Sequence, residues 1–162
     1  MRYQMKQKLF SWGNDFTITN ANGEDAYFVD GKAFALGNQL SFQDMQGNEL
    51  AYIRQKLLAW GPTYELTHAG QLVAVIKKHL FTFLHCVFTV DEPGSADLTA
   101  EGDLLNHEYS FTRAGREVAS VSKAWFTIAD SYGVDVADGE DPVLILASTV
   151  VIDLACDGGR NR

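Results

Sequence analysis

The sequence predicts a mainly β protein: a closed antiparallel barrel of about twelve strands around a central hydrophobic C-terminal α-helix. Three observations carry this. Short β-prone runs alternate with turn signals through the first 136 residues. The late run from Asp141 to Ala155 is apolar all round, and a helix without a polar face must be enclosed on every side. A short unit with a small residue at its centre recurs three times, which leaves room for a rod inside a curved wall.

The strand candidates follow in order. Tyr3–Phe10 alternates moderately. Asp15–Thr19 and Ala26–Asp30 flank Asn20-Ala21-Asn22-Gly23, a stretch suited to a hairpin. Gln39–Asp44 and Glu49–Leu57 flank Met45-Gln46-Gly47-Asn48, and Thr63–His68 and Gln71–His79 flank the tight pair Ala69-Gly70. His85–Asp91, Asp97–Asp103, Glu108–Arg113, Arg116–Ala124 and Asp130–Ala137 complete the set. Short links of this kind favour antiparallel neighbours. No Pro/Ser-rich linker divides the chain, so residues 1–162 read as a single domain.

The repeated unit is Gly, two residues, Leu or Val, Ala, any residue, then Ile or Val. It begins at Gly47, Gly70 and Gly115. Side chains two apart on a strand share a face. Ala51 with Ile53, Ala74 with Ile76, and Ala119 with Val121 are therefore expected to point inward together.

The helix, expected at about 142–155, has proper ends. Asp141 suits the N-cap, Pro142 the first helical position, and Gly158-Gly159 a stop. Its β-branched residues would also suit a buried strand, but the run is more than twice the usual ~5–6 residue strand. Size agrees. Twelve strands close at a radius of roughly 12 Å, enough for a helix ~10–12 Å across, whereas eight close at roughly 8 Å.

Composition sets further limits. The chain is 46% hydrophobic and 21% charged, which argues against disorder. Its net charge of −8 is carried almost wholly by the second half. An acidic surface repels phosphate backbones, so no nucleic-acid partner is expected. The apolar run is shorter than the ~20 residues of a membrane-spanning helix, so no transmembrane segment is expected. Cys86 and Cys156 are too few for a disulfide framework and indicate a reducing, cytoplasmic compartment.

Candidate sites are sparse. Arg54, Lys56, Lys77 and Lys78, with Lys123 from the third repeat, form a candidate anion patch if the repeat strands lie close together. Solvated charges that keep strands from aggregating are the alternative. On parity alone, Arg54, Lys56 and Lys77 fall on one face, and Lys78 and Lys123 on the other. His79, His85 and Cys86 have short spacing but lack a fourth ligand, so no metal or cofactor is expected. His107-Glu108 and His68 stand isolated, and Trp12, Trp60 and Trp125 are expected to cap strand ends. Neither a Gly-x-Ser-x-Gly elbow nor a phosphate loop is present.

The chain resembles the LURP-one-related family, within the tubby-like barrel superfamily that also holds phospholipid scramblase-like proteins. The likeness rests on Tyr3-Gln4-Met5-Lys6-Gln7-Lys8, Phe16-Thr17-Ile18, Gly31-Lys32-Ala33-Phe34-Ala35-Leu36-Gly37, the repeat, and the apolar helix with Asp153. It implies a twelve-stranded barrel with a central helix. Tubby-like relatives bind phosphoinositide headgroups through basic residues. The expectation is therefore a non-catalytic binding or scaffolding module, cytoplasmic or peripheral to a membrane, meeting a lipid headgroup or protein partner on its outer surface. The alternatives are a small hydrolase-like enzyme with a shallow rim site, and a purely structural interaction protein.

Ten or so buried aliphatic side chains would favour folding by roughly 15–30 kcal/mol before chain entropy is subtracted. Deleting residues 141–162 should therefore abolish folding. A truncated chain that stays soluble and melts cooperatively would contradict this.

Overall fold

The computed structural model describes residues 1–8, 15–31, 37–80, 86–125 and 131–157. Twelve strands and one helix follow in chain order: β1 (Arg2–Lys8), β2 (Asp15–Thr19), β3 (Asp25–Gly31), β4 (Gln39–Asp44), β5 (Glu49–Gln55), β6 (Thr63–His68), β7 (Gln71–Leu80), β8 (Cys86–Asp91), β9 (Leu98–Asp103), β10 (Glu108–Arg113), β11 (Arg116–Ser122), β12 (Ser131–Val136) and α1 (Pro142–Asp157). Every strand pairs antiparallel with the next, and β12 returns to pair with β1. That last pairing removes both free edges, as closure does in any barrel. The expected ends of the first strand (Leu9, Phe10) and of the eighth (His85) lie outside the described residues.

The wall follows the period-two rule. Met5, Phe16, Ile18, Val29, Leu40, Phe42, Ile53, Leu66, Ile76, Phe88, Val90, Leu98, Phe111 and Val134 all face the core at no more than 1% exposure. The repeat does what its parity predicts: Ala51 with Ile53, Ala74 with Ile76, and Ala119 with Val121 are all buried. It also does something parity does not show. In each copy the ladder slips by one residue just before the Ala. Phe42 faces Ala51 but Gln43 faces Glu49; Leu66 faces Ala74 but Thr67 faces Leu72; Phe111 faces Ala119 but Thr112 faces Glu117. The skipped residues are Leu50, Val73 and Val118. A bulge of this kind adds local twist and bends the strand. Here it brings Leu50 and Val73 against the core and buries Val118. Ala69 and Ala114 hold positive φ of 50° and 51° directly before Gly70 and Gly115. Two consecutive left-handed residues make the hairpin turn that matches strand twist.

The helix fills the barrel. From Leu144 to Leu154 every residue is buried. Its polar members are satisfied locally: Ser148 Oγ donates to Leu144 O at 2.7 Å and Thr149 Oγ1 to Ile145 O at 2.8 Å. Asp141 Oδ1 accepts the Val143 N–H at 2.9 Å, the N-cap that its position suggests. Arg113, at the end of β10, fixes the entry to the helix. Its guanidinium lies 2.6 Å from Glu92 and 3.1 Å from Glu140. The helix runs to Asp157, two residues beyond the sequence expectation.

Three core tyrosines resist ionisation. Burial, reinforced by neighbouring Tyr27, pushes the Tyr3 phenol up to about 12. Burial raises Tyr64 despite the hydrogen bond that it accepts from Asn38 at 3.0 Å. Burial, with Asp153 and Cys156 nearby, drives Tyr109 well above its ordinary value. A raised phenol pKa means that the unfolded chain loses these protons first, so stability falls as pH climbs past the ordinary value of 10.0. Urea midpoints should hold steady on the approach to pH 10 and drop between there and about 12, as the Tyr3 shift requires. A midpoint unchanged across that window would contradict the assignment.

Candidate functional site

The antiparallel order gives the barrel two unlike ends. The turns after β2, β4, β6, β8 and β10 gather at the helix N-terminus. The β5–β6 and β9–β10 connections lie at the opposite end, beside the helix C-terminus. Glu24, Asp44, Glu49, Glu92, Glu117, Asp138, Glu140 and Asp141 outnumber Arg2, Arg113 and Arg116 at the first end. The second end mixes Lys6, Arg54, Lys56, Lys77, Lys78 and Lys123 with Asp15, Asp103 and Glu108. The chain's acidity is thus concentrated at one end.

The five candidate cations separate by strand parity. Arg54 pairs in register with Glu65 on the outer face, 3.3 Å from its carboxylate. Lys56 reaches the other oxygen of Glu65 at 3.5 Å. Lys77 lies in the next outward row, opposite Thr63, whose carbonyl also accepts the Lys56 N–H at 2.8 Å. With strands ~4.8 Å apart, the Lys56 and Lys77 backbones are about 10 Å from each other. Lys77 is exposed. These three share one wall, and Arg54 and Lys56 share one carboxylate.

Lys78 does not join them. It has the parity of Ala74 and Ile76, so its side chain turns inward. Its Nζ donates to the Ala155 carbonyl at 3.5 Å. A cation at a helix C-terminus offsets the negative pole of the aligned peptides. The last helical turn has no basic residue of its own, so Lys78 supplies from the wall what the helix sequence lacks. Lys123 is four strands away from Lys77 around the barrel, just past β11, where its backbone N–H donates to Glu108 Oε1 at 2.9 Å.

Beside Arg54 and Lys56 the β5–β6 connection leaves the wall. An open cleft of about 740 Å³ runs between Gln39, Arg54, Gln55, Lys56, Leu57 and Leu58. Leu57 is 58% exposed, Leu58 101% and Trp60 102%. Trp60 therefore does not cap the barrel, because its loop projects away from the strand ends. Trp125 instead packs on the outer wall, with the Arg2 guanidinium 4.2 Å above its ring. Trp12 lies outside the described residues.

A second polar cluster is internal. His107 Nε2 lies 2.5 Å from Asp153 Oδ1, and the Tyr132 hydroxyl donates to the other Asp153 oxygen. The His107 and Tyr132 rings stack at 4.2 Å with 20° between planes. His107 adopts φ +55°, a strained value for a residue with a side chain, at the end of the β9–β10 turn. Gly102, two residues into the pairing from that turn, has φ +140°, and a Cβ there would lie 2.8 Å from the Glu108 carbonyl. The turn is thus held tightly over the helix C-terminal end. The other His107 nitrogen, Nδ1, is buried and has no partner. With Nε2 engaged and Nδ1 enclosed, the imidazole presents no nitrogen to a substrate, and the cluster reads as a structural clamp. His107 and Asp153 are 46 residues apart in sequence, so no local signal links them. Of the other histidines, His79 meets Thr89 Oγ1 at 2.9 Å and His68 meets the Leu50 carbonyl at 2.7 Å. His85 lies outside the described residues. Among the described residues no three His, Cys, Asp or Glu side chains converge as metal ligands.

A closed twelve-stranded antiparallel barrel threaded by its own C-terminal helix matches a tubby-like barrel. The X-ray structure of a protein from Arabidopsis thaliana superposes with a TM-score of 0.71 over 99% of this chain and 92% of that one, at 17% identity, and so shares the fold. The chain belongs to the LURP-one-related family, whose sequence model matches residues 1–153. It is 33% identical over 150 residues to the uncharacterized protein YxjI of Bacillus subtilis (strain 168), a match that spans 93% of this chain and 90% of that one.

Replacing Asp153 by Ala removes the acceptor that His107 and Tyr132 share inside the barrel. The expected cost is about 3 kcal/mol, against about 1 kcal/mol for Asp153→Asn, which keeps one acceptor oxygen. Urea denaturation of the two variants checks this; equal stabilities would contradict the clamp.

Proposed function

We propose that the protein is a non-catalytic binding module that recognises an anionic lipid headgroup on its outer wall. One observation carries the reading: Arg54, Lys56 and Lys77 stand on the same outward face, at the end of the barrel away from its acidic turns. Glu65 holds Arg54 and Lys56 in place without neutralising the group. A guanidinium beside two ammonium groups suits phosphate oxygens, which accept several charge-assisted hydrogen bonds at once. Exposed pairs of this kind add little to stability, so their charges remain available to a ligand. The family resemblance supports the same reading, since tubby-like relatives use basic residues toward phosphoinositides. The helix fills the middle of the barrel, with Leu144 to Leu154 buried, so the outer wall is the larger surface open to a ligand. The enzyme alternative is weaker: the one buried carboxylate–imidazole pair among the described residues, His107 with Asp153, is turned into the wall.

The test is flotation with phosphatidylcholine vesicles, with and without phosphoinositide. Each basic residue near an anionic surface adds about 1 kcal/mol, and reversing a charge doubles the change. Arg54→Glu and Lys77→Glu should each lower association about thirtyfold at low salt. Arg116→Glu, at the opposite end, should change it by no more than about twofold, given screening over a Debye length. Equal association of wild type with both vesicle types would defeat the proposal.

A further inference from the structure

Among the described residues the β5–β6 loop groups the two most exposed large apolar side chains, while Met1, Met45, Leu72 and Leu105 are exposed singly elsewhere. Leu58 and Trp60 are wholly exposed and Leu57 more than half, all within four residues. We propose that Leu57-Leu58-Ala59-Trp60 is a membrane-interfacial anchor that enters the headgroup–acyl boundary of an anionic bilayer while Arg54, Lys56 and Lys77 meet lipid phosphates. The proposal rests on the headgroup reading above and deepens it, because it makes the ligand a bilayer surface rather than a free phosphate.

The loop is built to hold its tip outward. At its base Gln55 N–H donates to Asn38 O at 2.9 Å, Lys56 N–H to Thr63 O at 2.8 Å, and Lys78 N–H to Pro62 O at 3.0 Å. The Gln55 side chain accepts the Asn38 N–H at 3.1 Å. Leu57 leans over Gly37, where a Cβ would come within 2.8 Å of its Cδ2, so the glycine makes room for that leucine. Gly61, at φ +74°, turns the chain back toward β7. Three of the tip's four residues are large and apolar, and Leu58 and Trp60 are fully exposed.

Shape and charge select the occupant. A stable protein interface needs about 800 Å² from each partner, commonly over a flat or complementary patch. A convex four-residue tip offers far less. It does suit a fluid boundary layer, where tryptophan's amphipathic ring is favoured and leucines gain by leaving water. The cations flank the tip, and the acidic turns lie at the far end of the barrel. An anionic surface therefore attracts this end and repels the other, which fixes the orientation of docking.

The experiment uses the full chain with vesicles of phosphatidylcholine plus phosphatidylserine, and separately with soluble inositol hexakisphosphate. Leu58→Ser/Trp60→Ser should keep the wild-type melting temperature, since neither side chain is buried, and bind the vesicles at least about tenfold more weakly. Its affinity for inositol hexakisphosphate should match wild type. With acyl-brominated lipids, wild type should show tryptophan quenching that Trp60→Phe lacks. If Arg54→Glu and Lys77→Glu release the vesicles but Leu58→Ser/Trp60→Ser binds them like wild type, with no Trp60 quenching, the anchor is rejected and the headgroup reading stands. If wild type binds the soluble anion but no vesicle, the anchor is likewise rejected. If wild type binds neither of these but does bind phosphoinositide vesicles, the anchor is rejected and the headgroup reading stands; if it binds none of the three, both readings fall.

Discussion

An α-helix without a polar face is not stable in water, and a wall of twelve strands bent into a cylinder about 24 Å across is not stable around a void. Each supplies what the other lacks. From Leu144 to Leu154 the helix is buried throughout, and the wall turns its branched and aromatic side chains toward it. The small residues Ala51, Ala74, Ala100 and Ala119 sit among Phe16, Phe42, Phe88 and Phe111 on the inner surface. That alternation of size lets a rod of fixed diameter touch a wall of uneven depth at close-packed density. The helix follows all twelve strands in the chain, so the strands cannot complete their core until it has been made.

Seating an oily rod leaves its ends to be satisfied. At the N-terminal end Asp141 caps the first turn and Arg113 ties the entry loop to two carboxylates. At the C-terminal end the wall does the work. Lys78 reaches the Ala155 carbonyl, and His107 and Tyr132 grip Asp153, the one acid within the buried run. A buried carboxylate is costly unless it is fully hydrogen-bonded, and both of its oxygens are. Asp153 also fixes the helix in rotation and depth, which apolar contacts alone specify poorly. The features that look most like chemistry thus serve the plug.

Much of the architecture was legible in the sequence because it follows from period and pattern. Strand positions came from alternation and turn residues, the plug from its lack of a polar side, and the inward face from the spacing of Ala and Ile in the repeat. The bulges at Leu50, Val73 and Val118 were not legible, since a one-residue slip is a property of two strands together. The same reason hid the Asp153 clamp, whose members come from β10's leading turn, β12 and α1. The basic group was partly legible. Parity already divided Arg54, Lys56 and Lys77 from Lys78 and Lys123, and the register shows why: an inward lysine two residues past Ile76 arrives at the helix end. Trp60 was misplaced as a rim cap because sequence gives the strand's end but not the direction in which its loop leaves.

The enclosure of the helix is tested most directly by native-state hydrogen exchange. If wall and plug form one cooperative unit, amides of residues 146–154 exchange only through global unfolding, with the same free energy as the slowest amides of β5, β7 and β12. Helix amides that exchange through a smaller opening, while those strands stay protected, would show that the barrel stands without its plug and would contradict the account.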